Sequence, residues 1–202
     1  MDTYPLFAKL IGVGRLGLSP KELKKAQTLL KKYDLKHANL SATYSSVSKK
    51  VLEDKALNFI AKAIDNQFQV YTRSFLKYIN SFKMTTSWIT KVHPGSKSHE
   101  HVHSNSMISG VAYIQCPPKS GNLSFHNKET GLFDLPTETM NLWNSLIYSF
   151  EPQANTVVFF PSDTYHGVDE NQSTEQRYSL AFNYLPIGEA GTPGTDSSVF
   201  LR

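Results

Sequence analysis

The spacing of apolar positions changes along the chain near residue 84. Before that point, apolar residues recur at the helical period of about 3.6, which predicts one helix over 21–33 and a longer one from about 54 to 79. The sequence Ser19-Pro20-Lys21-Glu22 has the form of a capping box with proline at the first helical position. Residues 39–48 are rich in Ser, Asn and Thr and are predicted to form a connecting loop.

After residue 84 the pattern is one of short strands separated by turn residues, which favours a β-sandwich or barrel. The predicted strands are 85–92, 108–115, 123–126, 156–160 and 177–185. The last strand alternates cleanly, with Arg177, Ser179, Ala181 and Asn183 on one face and Tyr178, Leu180, Phe182 and Tyr184 on the other. We therefore expect a mainly β fold against which the N-terminal helices pack.

The chain shows no internal repeat and no domain boundary, so we expect a single domain over 1–202. Within it, residues 1–83 would give helical support, 84–187 the β core and 188–202 a loose tail rich in Gly, Pro, Ser and Thr.

The segment 127–155 is long for a connection inside a compact β domain, and such connections are usually functional. It is also too apolar to be disordered. One interpretation is a lid over the mouth of the barrel, with Trp143 or Phe133 facing inward. The other is a structural cap on the sandwich edge.

Composition excludes several classes of function. No apolar run approaches the length of a membrane span, and one cysteine, Cys116, permits no internal disulfide and suits a cytoplasmic location. The net charge of +4 comes largely from scattered lysine pairs in the N-terminal part, which are typical of solvated faces. Nucleic acid is therefore an unfavoured partner.

Histidines are concentrated in one stretch, since five of the seven lie between residues 93 and 126. Three of them, His99, His101 and His103, occupy alternate positions and would project from one side of an extended strand. Imidazoles at this spacing can chelate one metal ion, although a solvated polar strand end has the same pattern. The pairs His99/His101 and His101/His103 have equal spacing.

Two further residues follow the apolar strand 156–160. His166 lies just beyond it, and Arg177 follows eleven residues later. Each alone is more often structural: a histidine satisfied in the core, or an arginine at the surface. Their order and separation behind a His-x-His pair make coincidence much less credible.

The combined pattern resembles the iron(II)- and 2-oxoglutarate-dependent oxygenases, and more closely a subgroup found in marine bacteria and phages. The subgroup pattern is W…H-x-H-x-x-S-x-x-S-G-V-x-Y…F-P-S…H-x-V…R-x-S-x-x-F-N. The matching positions are Trp88, His101, His103, Ser106, Ser109, Gly110, Val111, Tyr113, Phe160, Pro161, Ser162, His166, Val168, Arg177, Ser179, Phe182 and Asn183.

The resemblance implies a double-stranded β-helix, or jelly roll, with Fe(II) as metal and 2-oxoglutarate as co-substrate. It implies that His101, His103 and His166 bind the metal, with His99 in the outer shell or at the surface. Arg177 suits the far carboxylate of 2-oxoglutarate, because its planar fork binds carboxylates and stays charged when buried. Ser179, Tyr113 and Asn183 are the other cofactor-binding candidates.

The sequence departs from the wider superfamily at one ligand, because the usual His-x-Asp/Glu is here His-x-His. Three interpretations follow: a face of three histidines, a carboxylate supplied by Glu100 or Asp163, or a pocket that has lost its iron.

Two other functions compete with the oxygenase: a non-catalytic jelly-roll module that binds a small molecule, and a three-histidine cupin dioxygenase that does not use 2-oxoglutarate. Arg177 favours the oxygenase, because a cupin dioxygenase needs no carboxylate anchor. The sequence leaves the prime substrate open between a peptide side chain and a small metabolite. It allows a homodimer without requiring one.

Overall fold

The computed structural model describes residues 1–2, 4, 7–38, 43–128, 136–192 and 194–201. It contains two α-helices, α1 (Pro20–Leu30) and α2 (Asn58–Gln69), and α2 continues into a wider helical turn at Val70–Phe75. Twelve strands are present in these residues: β1 (Gly12–Arg15), β2 (Leu35–His37), β3 (Thr43–Ser46), β4 (Ser81–Val92), β5 (Ser98–His101), β6 (Ile108–Gln115), β7 (Leu123–His126), β8 (Ile147–Phe150), β9 (Thr156–Pro161), β10 (Tyr165–Val168), β11 (Arg177–Ala190) and β12 (Val199–Leu201).

The strands form two antiparallel sheets. The large sheet has the order β1-β9-β6-β11-β4-β3-β2, with β12 paired to the end of β11, and the small sheet has the order β5-β10-β7-β8. Apolar side chains from both sheets pack together between them, among them Phe160 and Val158 of β9 and Leu123 and Phe125 of β7. Two facing antiparallel sheets with crossing connections form the jelly roll that the sequence predicted.

The two helices cover the outer face of the large sheet. The predicted capping box is present, with Ser19 and Glu22 bonded reciprocally at the start of α1. The apolar sides of α1 and α2 are buried against the apolar face of β11, including Leu180 and Phe182. The alternation of β11 therefore sends one set of side chains to the helices and leaves Arg177 and Ser179 to face the small sheet.

The N-terminal part is less helical than predicted. β1, β2 and β3 all lie within residues 1–83 and join the large sheet, and β3 occupies part of the predicted loop 39–48. Residues 39–42 lie outside the described part of the chain. The sequence did not predict β3 as a strand because its buried side chains are serines and not apolar residues. Hydrogen bonds compensate for the burial of these serines: Ser46 Oγ accepts from the backbone N–H of Ile89 at 3.0 Å.

The tail prediction is also wrong at one point, since Val199–Leu201 pairs with Gly188–Ala190 of β11. In the described residues, no helix is long and apolar enough to cross a membrane.

Candidate active site

A cavity of about 400 Å³ lies between the two sheets. Its walls include the three histidines His101, His103 and His166 at one part and Arg177 at another. The inner face of the large sheet, from β6 across β11 and β4 to β3, also lines it. The pairing of distant strands therefore brings together the separate pieces of the sequence pattern.

The small sheet and the loop after β5 position the histidines. His101 ends β5 and lies directly opposite His166 in the neighbouring strand β10. His103 follows β5, and its backbone N–H donates to the carbonyl of Ser162 at 2.9 Å. One possible ligand atom from each of the three histidines lies within 4.8 Å of the others, so all three fit a single metal ion.

Each of these histidines is oriented by a hydrogen bond at Nδ1. His101 donates to the carbonyl of His99 at 3.0 Å, and His166 donates to the carbonyl of Thr164 at 2.9 Å. Nδ1 of His103 donates to Asn183 Oδ1 at 2.7 Å. Because Nδ1 carries the proton in each ring, Nε2 keeps its lone pair, which is the arrangement that a metal-binding histidine needs.

Burial keeps these histidines neutral. It lowers the pKa of His166 to about 3, and it also lowers the pKa values of His101 and His103 below their ordinary range. Neighbouring imidazoles lower all three further. A metal ion therefore has no proton to displace from them at neutral pH.

Neither candidate carboxylate belongs to this cluster. Glu100 pairs with His126 and Lys128, and Asp163 is exposed and pairs with Lys9 at 3.0 Å. His99 is also exposed and contributes its backbone carbonyl to His101. Among the described residues, the geometry therefore favours the face of three histidines over one with a carboxylate.

Arg177 is 1% exposed and is held from one side. Its Nη1 donates to the carbonyl of Gly121 at 2.8 Å, and its guanidinium carbon lies 5.8 Å from the centre of the Tyr113 ring. Gly121 has φ of +89°, which only glycine adopts readily, so the tight turn there fixes the carbonyl that holds the arginine. Nε of Arg177 is buried with no hydrogen-bond partner in the described chain. A buried charge with an unused donor fits an anionic ligand.

Hydroxyl side chains form a row across the floor of the cavity. Ser45, Thr90, Ser179 and Tyr113 are register neighbours on β3, β4, β11 and β6. The hydroxyls of Ser179 and Tyr113 have no hydrogen-bond partner among the residues that the structure describes, and both line the cavity beside Arg177. The hydroxyls of Ser179 and Tyr113 can therefore donate hydrogen bonds to the carboxylate of a small acid, in addition to those from Arg177.

Asn183, predicted to bind the cofactor, is placed differently. Its side chain does not line the cavity; Oδ1 accepts from His103 and from Ser109 Oγ at 2.8 Å, and Nδ2 donates to Thr86 at 2.9 Å. With these bonds formed, Asn183 orients the ring of His103 from outside the cavity lining.

Several cavity residues were given no role by the sequence analysis. Trp88 stands in the motif without a role, and its ring stacks on that of His103 at 5.6 Å. Lys36 and Lys49 reach the cavity from the neighbourhood of β2 and β3, whose short polar strands were not predicted.

An antiparallel jelly roll with three convergent histidines and a buried arginine in one cavity belongs to the double-stranded β-helix class, and its residues fit a metal ion and an anionic ligand. Residues 86–183 match the sequence model of the family described as "Putative 2OG-Fe(II) oxygenase". That span contains every residue of the predicted site. No curated protein sequence matches the chain.

Solved structures support the same fold. A 2OG-Fe(II) oxygenase family oxidoreductase from Burkholderia pseudomallei is 13% identical, with a TM-score of 0.63 and 87% of this chain and 83% of that chain covered. HygX from Streptomyces hygroscopicus, with nickel, 2-oxoglutarate and hygromycin B bound, is 12% identical, with a TM-score of 0.63 and coverage of 87% and 82%. A Pseudomonas putida prolyl-4-hydroxylase is 15% identical, with a TM-score of 0.61 and coverage of 86% and 91%.

At these identities the solved structures establish the fold. The sequence match covers 98 of the 202 residues and shows that the part of the chain that holds the site is similar to the 2OG-Fe(II) oxygenases.

Proposed function

We propose that this protein is a hydroxylase that binds iron(II) through His101, His103 and His166 and anchors 2-oxoglutarate through Arg177. The single observation that carries the proposal is the cavity itself, which holds three neutral imidazoles and a buried arginine with an unused Nε donor. The neutral rings suit a divalent metal, and the arginine suits a dicarboxylic acid.

The histidines contribute geometry. Their Nδ1 bonds fix three rings with Nε2 free, so three ligands can occupy one side of the ion and leave the other side open. When bound, iron(II) would activate dioxygen, one atom of which converts 2-oxoglutarate to succinate and carbon dioxide while the other oxidises a C–H bond of the prime substrate.

Arg177 contributes the fixed charge that orients the co-substrate. Nε is free to donate to the far carboxylate, while Nη1 remains on the carbonyl of Gly121. Ser179 and Tyr113 stand beside it and can donate further hydrogen bonds. A charge-assisted contact in a buried slot is strong, because little water competes for it.

Apolar side chains complete the cavity and keep water from the reacting groups. Phe160, Leu123 and Val111 form part of this wall, and the Trp88 ring stacks on that of His103. These residues would also place the prime substrate near the metal.

Anaerobic titration tests the proposal directly. We expect one iron(II) per chain, binding of 2-oxoglutarate that depends on the metal, and slow formation of succinate without a prime substrate once oxygen is admitted. Iron binding without any binding of 2-oxoglutarate would favour a three-histidine cupin dioxygenase. Binding of small acids without metal would favour the non-catalytic module.

The other sequence expectations stay predictions within this proposal. All of the proposed site residues come from one chain, so a homodimer is not needed to complete the site. Membership of the marine and phage subgroup, a cytoplasmic location and the single-domain organisation rest on the resemblance and on the sequence pattern. A peptide side chain and a small metabolite both remain candidate substrates.

A further inference from the structure

The cavity continues beyond the proposed iron and 2-oxoglutarate site to a second polar region at its mouth. Lys36 of β2 and Lys49, three residues after β3, line this region with Ser45 of β3 and Thr90 of β4. We call these four residues the lysine subsite. Nothing in the proposed chemistry of the histidines and Arg177 uses them.

We propose that the lysine subsite binds an anionic group, a carboxylate or a phosphate, on the prime substrate. This inference rests on the proposed function, because it assigns the substrate class of the same cavity.

The first support is the placement of Lys49. Its ammonium group donates to Ser45 Oγ and to the carbonyl of Ser46 at 3.0 Å, which holds the long side chain against the floor of the cavity. Partial burial lowers the pKa of Lys49, and the nearby charge of Lys36 lowers it further. Two positive charges therefore lie close together at the mouth of the cavity, and a bound anion would reduce the repulsion between them.

The second support is the absence of a compensating acid. Neither lysine has a carboxylate partner within the described part of the chain, and no Asp or Glu is among the described residues that line the cavity.

The third support is the charge of the loaded site. Three neutral histidines add no charge, and the two charges of 2-oxoglutarate cancel those of iron(II). Arg177, Lys36 and Lys49 then leave the cavity positive. The usual carboxylate ligand would add one negative charge, so a neutral histidine in its place makes the net positive charge of the cavity larger by one. A cavity of one sign attracts substrates of the opposite sign.

The lysine subsite is separate from the anchor for 2-oxoglutarate. β4 lies between β3 and β11, and Ser45 is in register with Ser179, two residues beyond Arg177. The backbones of Ser45 and Arg177 are therefore about 12 Å apart, across two strand spacings and two residues along the strand. The guanidinium of Arg177 turns the other way, toward Tyr113 on β6 and the turn at Gly121. One carboxylate therefore cannot contact both Lys49 and Arg177.

Acetate and methyl phosphate can probe the subsite in protein loaded with zinc(II), as a diamagnetic substitute for iron, and 2-oxoglutarate. We expect both anions to shift the backbone amide resonances of Ser45, Lys49 and Thr90, and acetamide, the neutral isostere of acetate, to leave them unshifted. The anion with the tighter binding identifies the group carried by the substrate.

Variants then assign the effect. Lys49→Gln and Lys36→Gln should each weaken anion binding by about tenfold, the loss of one charged contact, while the exposed control Lys24→Gln binds as the wild type does. All three should keep the wild-type affinity for 2-oxoglutarate. The inference is overturned if neither anion perturbs these amides, or if the lysine variants bind the anions normally. It is also overturned if Lys49→Gln lowers the affinity for 2-oxoglutarate as much as Arg177→Ala does.

The proposed function fails on a different result. If Arg177→Ala binds 2-oxoglutarate normally, the proposed anchor is wrong, whereas lysine-dependent anion shifts would still establish the subsite.

Discussion

His103 and Asn183 are joined by a hydrogen bond of 2.7 Å between Nδ1 and Oδ1, across 80 residues of sequence. The amide is itself held on both sides, by Ser109 at Oδ1 and by Thr86 at Nδ2. This network fixes the tautomer and the orientation of a proposed metal ligand whose usual counterpart in the superfamily is a carboxylate.

Replacing Asn183 with Ala should therefore lower metal affinity, by roughly 10- to 100-fold, as is typical when the hydrogen-bond partner of a ligating histidine is lost. Once the metal is saturated, the affinity for 2-oxoglutarate should change little. Anaerobic iron titration and 2-oxoglutarate titration of the same variant measure the two effects. Asn80→Ala, at the far end of the sheet, is the matched control. Loss of 2-oxoglutarate affinity with normal metal binding would return Asn183 to the cofactor-binding role expected from sequence.

The sequence predicted which side chains of β11 share a face, because alternation in a strand is a direct consequence of backbone geometry. It predicted the convergence of His101, His103 and His166 only through the resemblance, since spacing alone could not exclude His99. The hydrogen bonds of Asn183 to His103, Ser109 and Thr86 could not be predicted, because the strand face shows which way a side chain points and not what it contacts. The polar strands β2 and β3 were missed because hydrogen bonds, and not apolar side chains, hold them.

Metal content of single alanine variants tests the register of the histidines. His101→Ala, His103→Ala and His166→Ala should each lose most of the iron, because two remaining imidazoles hold the ion weakly. His99→Ala should keep it, since the exposed His99 is outside the group of three converging ligand atoms and its hydrogen bond to His101 comes from its backbone carbonyl. His126→Ala, which removes a partner of Glu100, is a second control. An empty site in His99→Ala with a filled one in His103→Ala would shift the ligand set by two residues.

Arg177→Ala should weaken the binding of 2-oxoglutarate by at least about thirtyfold, because a buried carboxylate left unpaired costs roughly 2 kcal/mol or more. Iron content should stay near that of the wild type. Calorimetric or fluorescence titration under anaerobic conditions gives both quantities, with the exposed Arg15→Ala as control.

Since Arg177 is also bonded to Gly121, thermal unfolding should confirm that the variant is folded. Ser179→Ala provides a milder change in the same slot. Normal 2-oxoglutarate affinity in folded Arg177→Ala would remove this residue from the site.

The metal-free protein should lose stability as the pH falls from about 6.5 toward 3. Burial lowers the folded-state pKa of His166 to about 3, so in this interval the unfolded chain binds a proton that the folded chain does not. The slope from one such histidine is at most about 1.4 kcal/mol per pH unit. Denaturant unfolding across this pH range measures it, and His166→Asn should have a shallower slope. An identical slope in His166→Asn would show that other groups control the acid sensitivity.

The last prediction concerns the long segment 127–155. Trp143 is 70% exposed, so the expectation that it faces inward is wrong for this residue, and Phe133 lies outside the described residues. The segment is also not a loop throughout, because Ile147–Phe150 pairs with β7 at the edge of the small sheet. The hydrogen bonds of 137–145 are local, as between Asn141 and the backbone of Trp143.

Replacing 137–145 with a short Gly-Ser linker should therefore keep the thermal midpoint within a few degrees of the wild type, because little buried surface is lost. Iron-dependent turnover of 2-oxoglutarate without prime substrate should also persist, since neither the histidines nor Arg177 lies in the segment. Thermal unfolding and succinate formation measure the two outcomes. Leu142→Ser, an equally exposed position within the segment, is a control for surface polarity alone. Failure of the shortened chain to fold would instead identify the segment as a structural cap on the small sheet.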